Sequence, residues 1–269
     1  MALVSFNTNA LANFYAEKRH ISKSLCNGQF ASAGVTAALM AAAGLEGHED
    51  ILGSPFGALQ AWGIEGGRDL LTRDLGKKFS IMGANFKFLN AGYPIHSPVE
   101  AATTLVAKHG IDLARIESIY VGMPSTSMLI VDNRDMHNIC LQDMLSAALV
   151  LGGLKLRESP FPEALDHPLF SHLRPRVTLR GDPELDRDQP MGRGAIVAIT
   201  TTDGATVRLR VEAPTGHSSR GGVSWDDLAG KWHEGLPECD VDRLIALGQR
   251  LEDLEDINEL LDGFYTRNH

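Results

Sequence analysis

The sequence predicts an α+β fold: helices from both chain ends form one part, with an inserted α+β, lid-like domain between them. Three observations carry this. Residues 29–44, "QFASAGVTAALMAAAG", are apolar nearly all round, as a buried helix is. The middle of the chain alternates β-branched, aromatic stretches with helix-like ones. From Asp240 onward, Val241, Leu244, Ile245, Leu251, Leu254, Ile257 and Leu261 recur at helical spacing. The expected boundaries are 1–64 for a helical segment, 65–215 for the lid-like domain and 216–269 for a C-terminal helical segment packing on the first.

In chain order, residues 8–18 are expected as a short helix. The Ala-rich helix follows and ends at Gly44. "GHEDILGSPFGALQAWG" reads as a short helix, a turn and another short helix, and "FSIMGANFKF" as a strand or an irregular crossover. Residues 97–109 read as a helix with Ser97 as N-cap and Pro98 in the first helical position. "RIESIYVGMP" is a strand by its β-branched and aromatic content. "ICLQDMLSAALVLGG" is a second buried helix closed by glycines, and "RPRVTLRGDPEL" starts as a strand. "AIVAITTTDGATVRLRVEAP" is a hairpin: Asp203-Gly204 signals a type I′ turn, and Val207, Leu209 and Val211 alternate. Ser224 with Asp227 forms a capping-box pattern.

Composition excludes several classes of function. A net charge of −9 opposes nucleic-acid binding, which needs clustered Lys and Arg. "MALVSFNTNALANFYAEK" lacks the basic and apolar regions of a secretion signal, and "GVTAALMAAAGL" is too short to cross a bilayer, so neither export nor a membrane partner is expected. Cys26, Cys140 and Cys239 are odd in number and widely spaced, which suggests a reducing, cytoplasmic setting. The scattered histidines form no metal-ligand spacing, so no metal is expected.

No nucleophile elbow, Walker loop or dinucleotide fingerprint is present, and no cofactor is expected. The candidates for chemistry are polar residues in apolar or Gly-rich settings: Lys23, Cys26, Lys87, His96, Gln142 and Asp143. Lys23, beside Gly28 at a helix entrance, suits a substrate carboxylate as well as it suits solvent. Lys87 and His96 flank a joint broken by Gly92 and Pro94. Asp143 sits at a helix start, where an acid is favoured by the helix dipole, or serves as an acid or base tuned by burial.

The stretches "SLCNGQFASAGVTAALMAAAGLEGHEDIL", "KFLNAGYPIHSPVEAATTL", "IESIYVGMP", "CLQDMLSAALVLGG" and "VAITTTDGATVRLRVEAPTGHSS…SWDDLAGKW" occur in an order that resembles the MmgE/PrpD family. That family includes 2-methylcitrate dehydratase, cis-aconitate decarboxylase and an iminodisuccinate epimerase. The resemblance spans about residues 7 to 235 and corresponds to the C-terminal part of the longer family chains: the end of a helical domain, a lid, and the returning helices. By position, Lys23 matches the lysine of a K-x-x-x-x-G stretch. Lys87 matches that of a K-x-[YF]-P stretch, although "FLNAG" departs from its aromatic-Pro. His96 matches a following histidine. Asp143 stands where dehydratase-like and decarboxylase-like members carry a tyrosine, after a similar [CS]-x-Q.

The resemblance implies a cofactor-independent lyase acting on an anionic or enolisable small molecule, a carboxylate or β-dicarbonyl compound. It would abstract a proton beside an acyl group, then lose water or CO2. Lys87, His96 and Asp143 are the expected catalytic residues, and Lys23, Cys26 and Gln142 the substrate-binding ones. A cyclase or isomerase forming a lactone or pyrone ring in secondary metabolism is the alternative, and a non-catalytic subunit or pseudoenzyme a further one. A homodimer is the expected assembly, with a separate helical subunit as a further partner.

Overall fold

The computed structural model describes residues 17–19, 21–64, 67–154, 156, 161–188 and 192–265. Among these are twelve α-helices and four strands, as an α+β chain requires. The chain divides into two compact units, Met1–Met82 and Gly83–His269.

The first unit contains α1 (Ile21–Ala42), α2 (Ala58–Ala61) and α3 (Gly67–Thr72). The Ala-rich segment is helical as expected, but α1 starts earlier, at Ile21. Among its described side chains, Leu25, Val35 and Leu39 are each more than 60% exposed. An apolar composition all round predicts burial only if something is there to bury it. Residues 49–56 are turns rather than the first of two short helices, and α2 supplies the second. The short helix expected over 8–18 lies almost wholly outside the described residues.

The second unit carries α4 (His96–His109), α5 (Ser125–Val131), α6 (Leu141–Leu151), α7 (Phe161–Asp166), α8 (Pro168–Leu173), α9 (Pro183–Asp186), α10 (Trp225–Gly235), α11 (Val241–Gly248) and α12 (Asn258–Tyr265). Its sheet is built from β1 (Ile116–Met123), β2 (Val177–Gly181), β3 (Ala195–Thr201) and β4 (Thr206–Val211), in the order β2-β1-β3-β4. β1 pairs parallel with β2, and the remaining pairs are antiparallel. A parallel pair needs a long crossover, and α5 to α8 fill it.

α4 lies across β3 and β4 and against α6. Its apolar face contributes Val99, Ala101, Ala102 and Leu105, and α6 contributes Met144, Leu145, Ala147 and Ala148, all in one core with Ile119, Val197 and Ile199 of the sheet. The small alanines let the two helices approach closely. β4 covers this layer with one face only, so Val207, Leu209 and Val211 alternate with exposed residues, as predicted.

Local chemistry explains where the boundaries moved. "FSIMGANFKF" resolves into a 3₁₀ turn at Ser80–Gly83 and irregular chain. A second 3₁₀ turn, Tyr93–Ile95, runs directly into α4, so the helix starts at His96 with Ile95 as its cap. Pro98 therefore occupies the third helical position, where its missing N–H is still one that no helical carbonyl would accept. Ser97 does not cap; its hydroxyl donates to the Arg193 carbonyl at 2.6 Å. In the β3–β4 hairpin only Gly204 has positive φ, at 81°. Its N–H donates to the Thr201 carbonyl at 2.8 Å, a type I turn closed by a left-handed glycine rather than type I′. Asp203 favours this form because its Oδ1 accepts from the Thr201 hydroxyl at 2.6 Å and the Ala205 N–H at 3.2 Å.

The Ser224–Asp227 capping box forms and starts α10. The single C-terminal helix expected from periodicity is two helices, α11 and α12, separated by residues 249–257. Val241, Leu244 and Leu247 are buried, while Leu251, Ile257 and Leu261 are about half exposed. α10, α11 and α12 pack on one another in chain order.

The loop after β4 is held at Gly216, where the Phe86 N–H donates to the Gly216 carbonyl at 2.8 Å. Gly216 has φ 83°, and a Cβ there would meet the Phe86 carbonyl and, at 2.8 Å, the Phe88 ring. Left-handed backbone and no room act together. Gly216→Ala is expected to lower unfolding free energy by about 2 kcal/mol or more in urea denaturation.

Candidate functional site

The start of α4 forms one wall of a cavity of about 370 Å³. Phe88, Leu89, Val99 and Leu154 supply apolar surface, and His96, Glu100, Thr103, Thr215 and Asp227 supply polar groups. Gly152 and Gly153, which close α6, leave the wall bare of side chains there.

His96 is 3% exposed. The Ala91 carbonyl acts on the ring to raise its pKa, while Nε2 has no hydrogen-bond partner among the described residues. The Lys87 Nζ donates to the same Ala91 carbonyl at 3.1 Å. Burial first, and then the charge of Lys87, pulls the His96 pKa down to about 4; Lys231 adds to this and Glu100 opposes it. His96 is therefore neutral at pH 7. Tyr93 tilts against its ring with centroids 5.2 Å apart, and the phenol oxygen is buried without a partner. Burial raises the Tyr93 pKa, against the charge of Arg193.

Glu100 lies one turn along α4 from His96. Its Oε2 accepts from the Thr215 N–H at 2.8 Å and hydroxyl at 3.0 Å, and its Oε1 accepts from Arg220 at 2.5 Å. The Asn85 Oδ1 accepts from the Ser218 N–H at 2.7 Å. These contacts fasten the 213–220 loop over the cavity.

Asp143 belongs to a different constellation. It is nearly buried, with Oδ1 accepting from Arg174 Nε at 2.5 Å and Oδ2 lying 2.7 Å from His137 Nδ1. His137 and Arg174 are partly exposed. The His137 ring stacks on Phe161 with centroids 4.3 Å apart. Beside them, burial raises the Cys140 thiol pKa. Gln142 is used internally: its Nε2 donates to Asp132 at 2.6 Å and its Oε1 accepts from the Asn133 N–H at 3.0 Å.

Lys87 and His96 are thus brought together, converging on the Ala91 carbonyl, whereas Asp143 and Gln142 face a neighbouring network and do not line the His96 cavity. Lys23 is an exposed residue in the first turn of α1, and Cys26 is partly buried one turn later. Lys231, Glu100 and His137 are absent from the residues singled out by sequence, and Asp227 is singled out only as a helix cap. Spacing offered a signal for two of them, since Asp227 and Lys231 stand four apart on a capped helix and so share a face. Nothing local marked Glu100, whose partners lie more than a hundred residues away.

Two outcomes are expected. The unfolded-state pKa of His96 is near 6.5 and the folded one about 4, so the unfolded chain binds more protons between them. The contribution is whole above pH 6.5 and falls as pH drops toward 4, by up to about 3 kcal/mol. Urea denaturation at pH 7 and pH 4.5 should show wild type losing more stability than His96→Gln. Asp143→Asn removes the charge that Arg174 pairs with and one of the two oxygens that accept from Arg174 and His137, and a loss of about 1–3 kcal/mol is expected in the same assay.

No curated protein matches the chain. The MmgE/PrpD C-terminal domain matches residues 90–252, more than half of the chain and the whole span from the Tyr93 turn to α11. The collinear stretches and the match agree: the chain belongs to the MmgE/PrpD family.

Proposed function

We propose that the His96 cavity is the substrate site of a lyase-type enzyme acting on a carboxylate or β-dicarbonyl compound. The observation that supports this reading is a neutral, buried imidazole whose Nε2 has no partner among the described residues and whose pKa the charges of Lys87 and Lys231 both lower. In this reading His96 Nε2 takes the proton from the carbon next to the acyl group. The C–H electron pair becomes the enolate, and the Lys87 ammonium stabilises its oxygen. The enolate then expels a β-hydroxyl, which leaves as water with the proton returned by His96. In decarboxylation, CO2 departs first and leaves its electron pair on the enolate, and a proton drawn from solvent is delivered to the carbon by way of His96 Nε2. A pKa of about 4 makes the protonated imidazole a strong acid for the return step, and an anion bound nearby raises the basicity needed for the first. Asp143 is assigned the positioning of His137 and Arg174, because both its oxygens already accept from them.

The apolar lining favours a second outcome of the same chemistry, closure of a lactone or pyrone ring. There the enol oxygen of a 3,5-dioxo acid attacks its carboxyl carbon, and one water is lost.

The test is deuterium exchange at the α-carbon, followed by proton NMR in D2O, with a panel of 3-hydroxy and 3,5-dioxo carboxylates. Wild type is expected to accelerate exchange or elimination for one class. His96→Gln should lower that rate about 10²–10⁴-fold while circular dichroism stays unchanged. Equal rates in the two proteins would rule out His96 as the base.

A further inference from the structure

We propose that the His96 cavity recognises a single carboxylate carried on an apolar carbon chain, with Lys231 as the anion's partner. The inference rests on reading this cavity as the substrate site, and it narrows the substrate class.

Lys231 is half-buried on α10, four residues after Asp227, which lines the cavity. Its Nζ stands 5.9 Å from the centroid of Phe86 and 5.8 Å from that of Phe88, itself a lining residue. It forms no ion pair with a described residue. Aromatic faces hold an ammonium in place without neutralising it, so its charge stays available. The charge of Lys231 also adds, behind burial and Lys87, to the lowering of the His96 pKa.

The rest of the lining sets the number of anionic groups. Glu100 and Asp227 also face the cavity, and neither is free to move away: Arg220 and Thr215 hold the first, and the Ser224 hydroxyl and N–H hold the second. A polycarboxylate would set its additional charges against these acids. Phe88, Leu89, Val99 and Leu154 offer instead a surface for a hydrocarbon chain, and the volume suits a small molecule.

Calorimetric titration of the full chain at pH 7 with hexanoate, hexan-1-ol and citrate tests this. Hexanoate should bind at least about tenfold more tightly than either of the others. Lys231→Met, which keeps the stem and removes the charge, should weaken hexanoate about tenfold or more and leave hexan-1-ol unchanged. Lys231→Arg should restore most of the loss. Tighter binding of citrate, no binding of hexanoate, or an unchanged hexanoate affinity in Lys231→Met would overturn the proposal. The wild-type ranking decides even if Lys231→Met does not fold. Hexanoate binding without α-carbon exchange would leave the subsite standing and remove the lyase reading. Exchange without the hexanoate preference would do the reverse.

Discussion

The carboxylate of Glu100 is the contact on which the cavity depends. It stands on α4, one turn from His96, and collects three hydrogen bonds from the loop that follows β4. A helix packed on a sheet leaves its first turn at the edge of the layer, open to water. Tying the 213–220 loop to Glu100 closes that edge and puts Pro214 and Thr215 over His96's neighbourhood. The loop must then pass Phe86 closely, which is why Gly216 carries no side chain. Phe86 and Phe88 are positioned in turn, and Lys231 rests on their rings.

The electrostatics follow from this closure. His96 loses its water, and burial alone is enough to favour the neutral ring. Lys87 and Lys231 strengthen the effect, whereas Glu100 is muted by Arg220. The result is a neutral imidazole at pH 7, its pKa lowered by the charges of Lys87 and Lys231. The Asp143 network has the opposite character. There a partly exposed guanidinium and a partly exposed imidazole engage both oxygens of one nearly buried acid, and the arrangement ties the turn before α6 to the turn before β2. Asp143 thus finds its partners within the protein.

Family membership and the site inform each other to different depths. The match over residues 90–252 covers the sheet, α4, α6 and α10, while Phe88 and Leu89 of the cavity wall lie just before it. The lining itself combines two held acids, Glu100 and Asp227, with the large apolar side chains of Phe88, Leu89, Val99 and Leu154.

The sequence by itself determined the α+β class, the strands β1 to β4, the helix of residues 141–151 with its glycine stop, and the capping box of α10. All of these rest on interactions within about ten residues or on simple periodicity, which a linear reading can follow. Its errors have a common source. Pro98 was read as a helix start because the 3₁₀ turn before it leaves no strong mark. Asp203-Gly204 was read as type I′ because the side chain's own hydrogen bonds, which favour type I, were not weighed. The Ala-rich helix was read as buried because composition reports what a segment would gain from burial, not whether a neighbour is present. The tertiary structure alone decided that Asp143 turns to His137 and Arg174, that Glu100 anchors a distant loop, and that Lys231 rests over the rings of Phe86 and Phe88. Each of these depends on contacts between residues brought together only by packing, whose geometry no local pattern encodes.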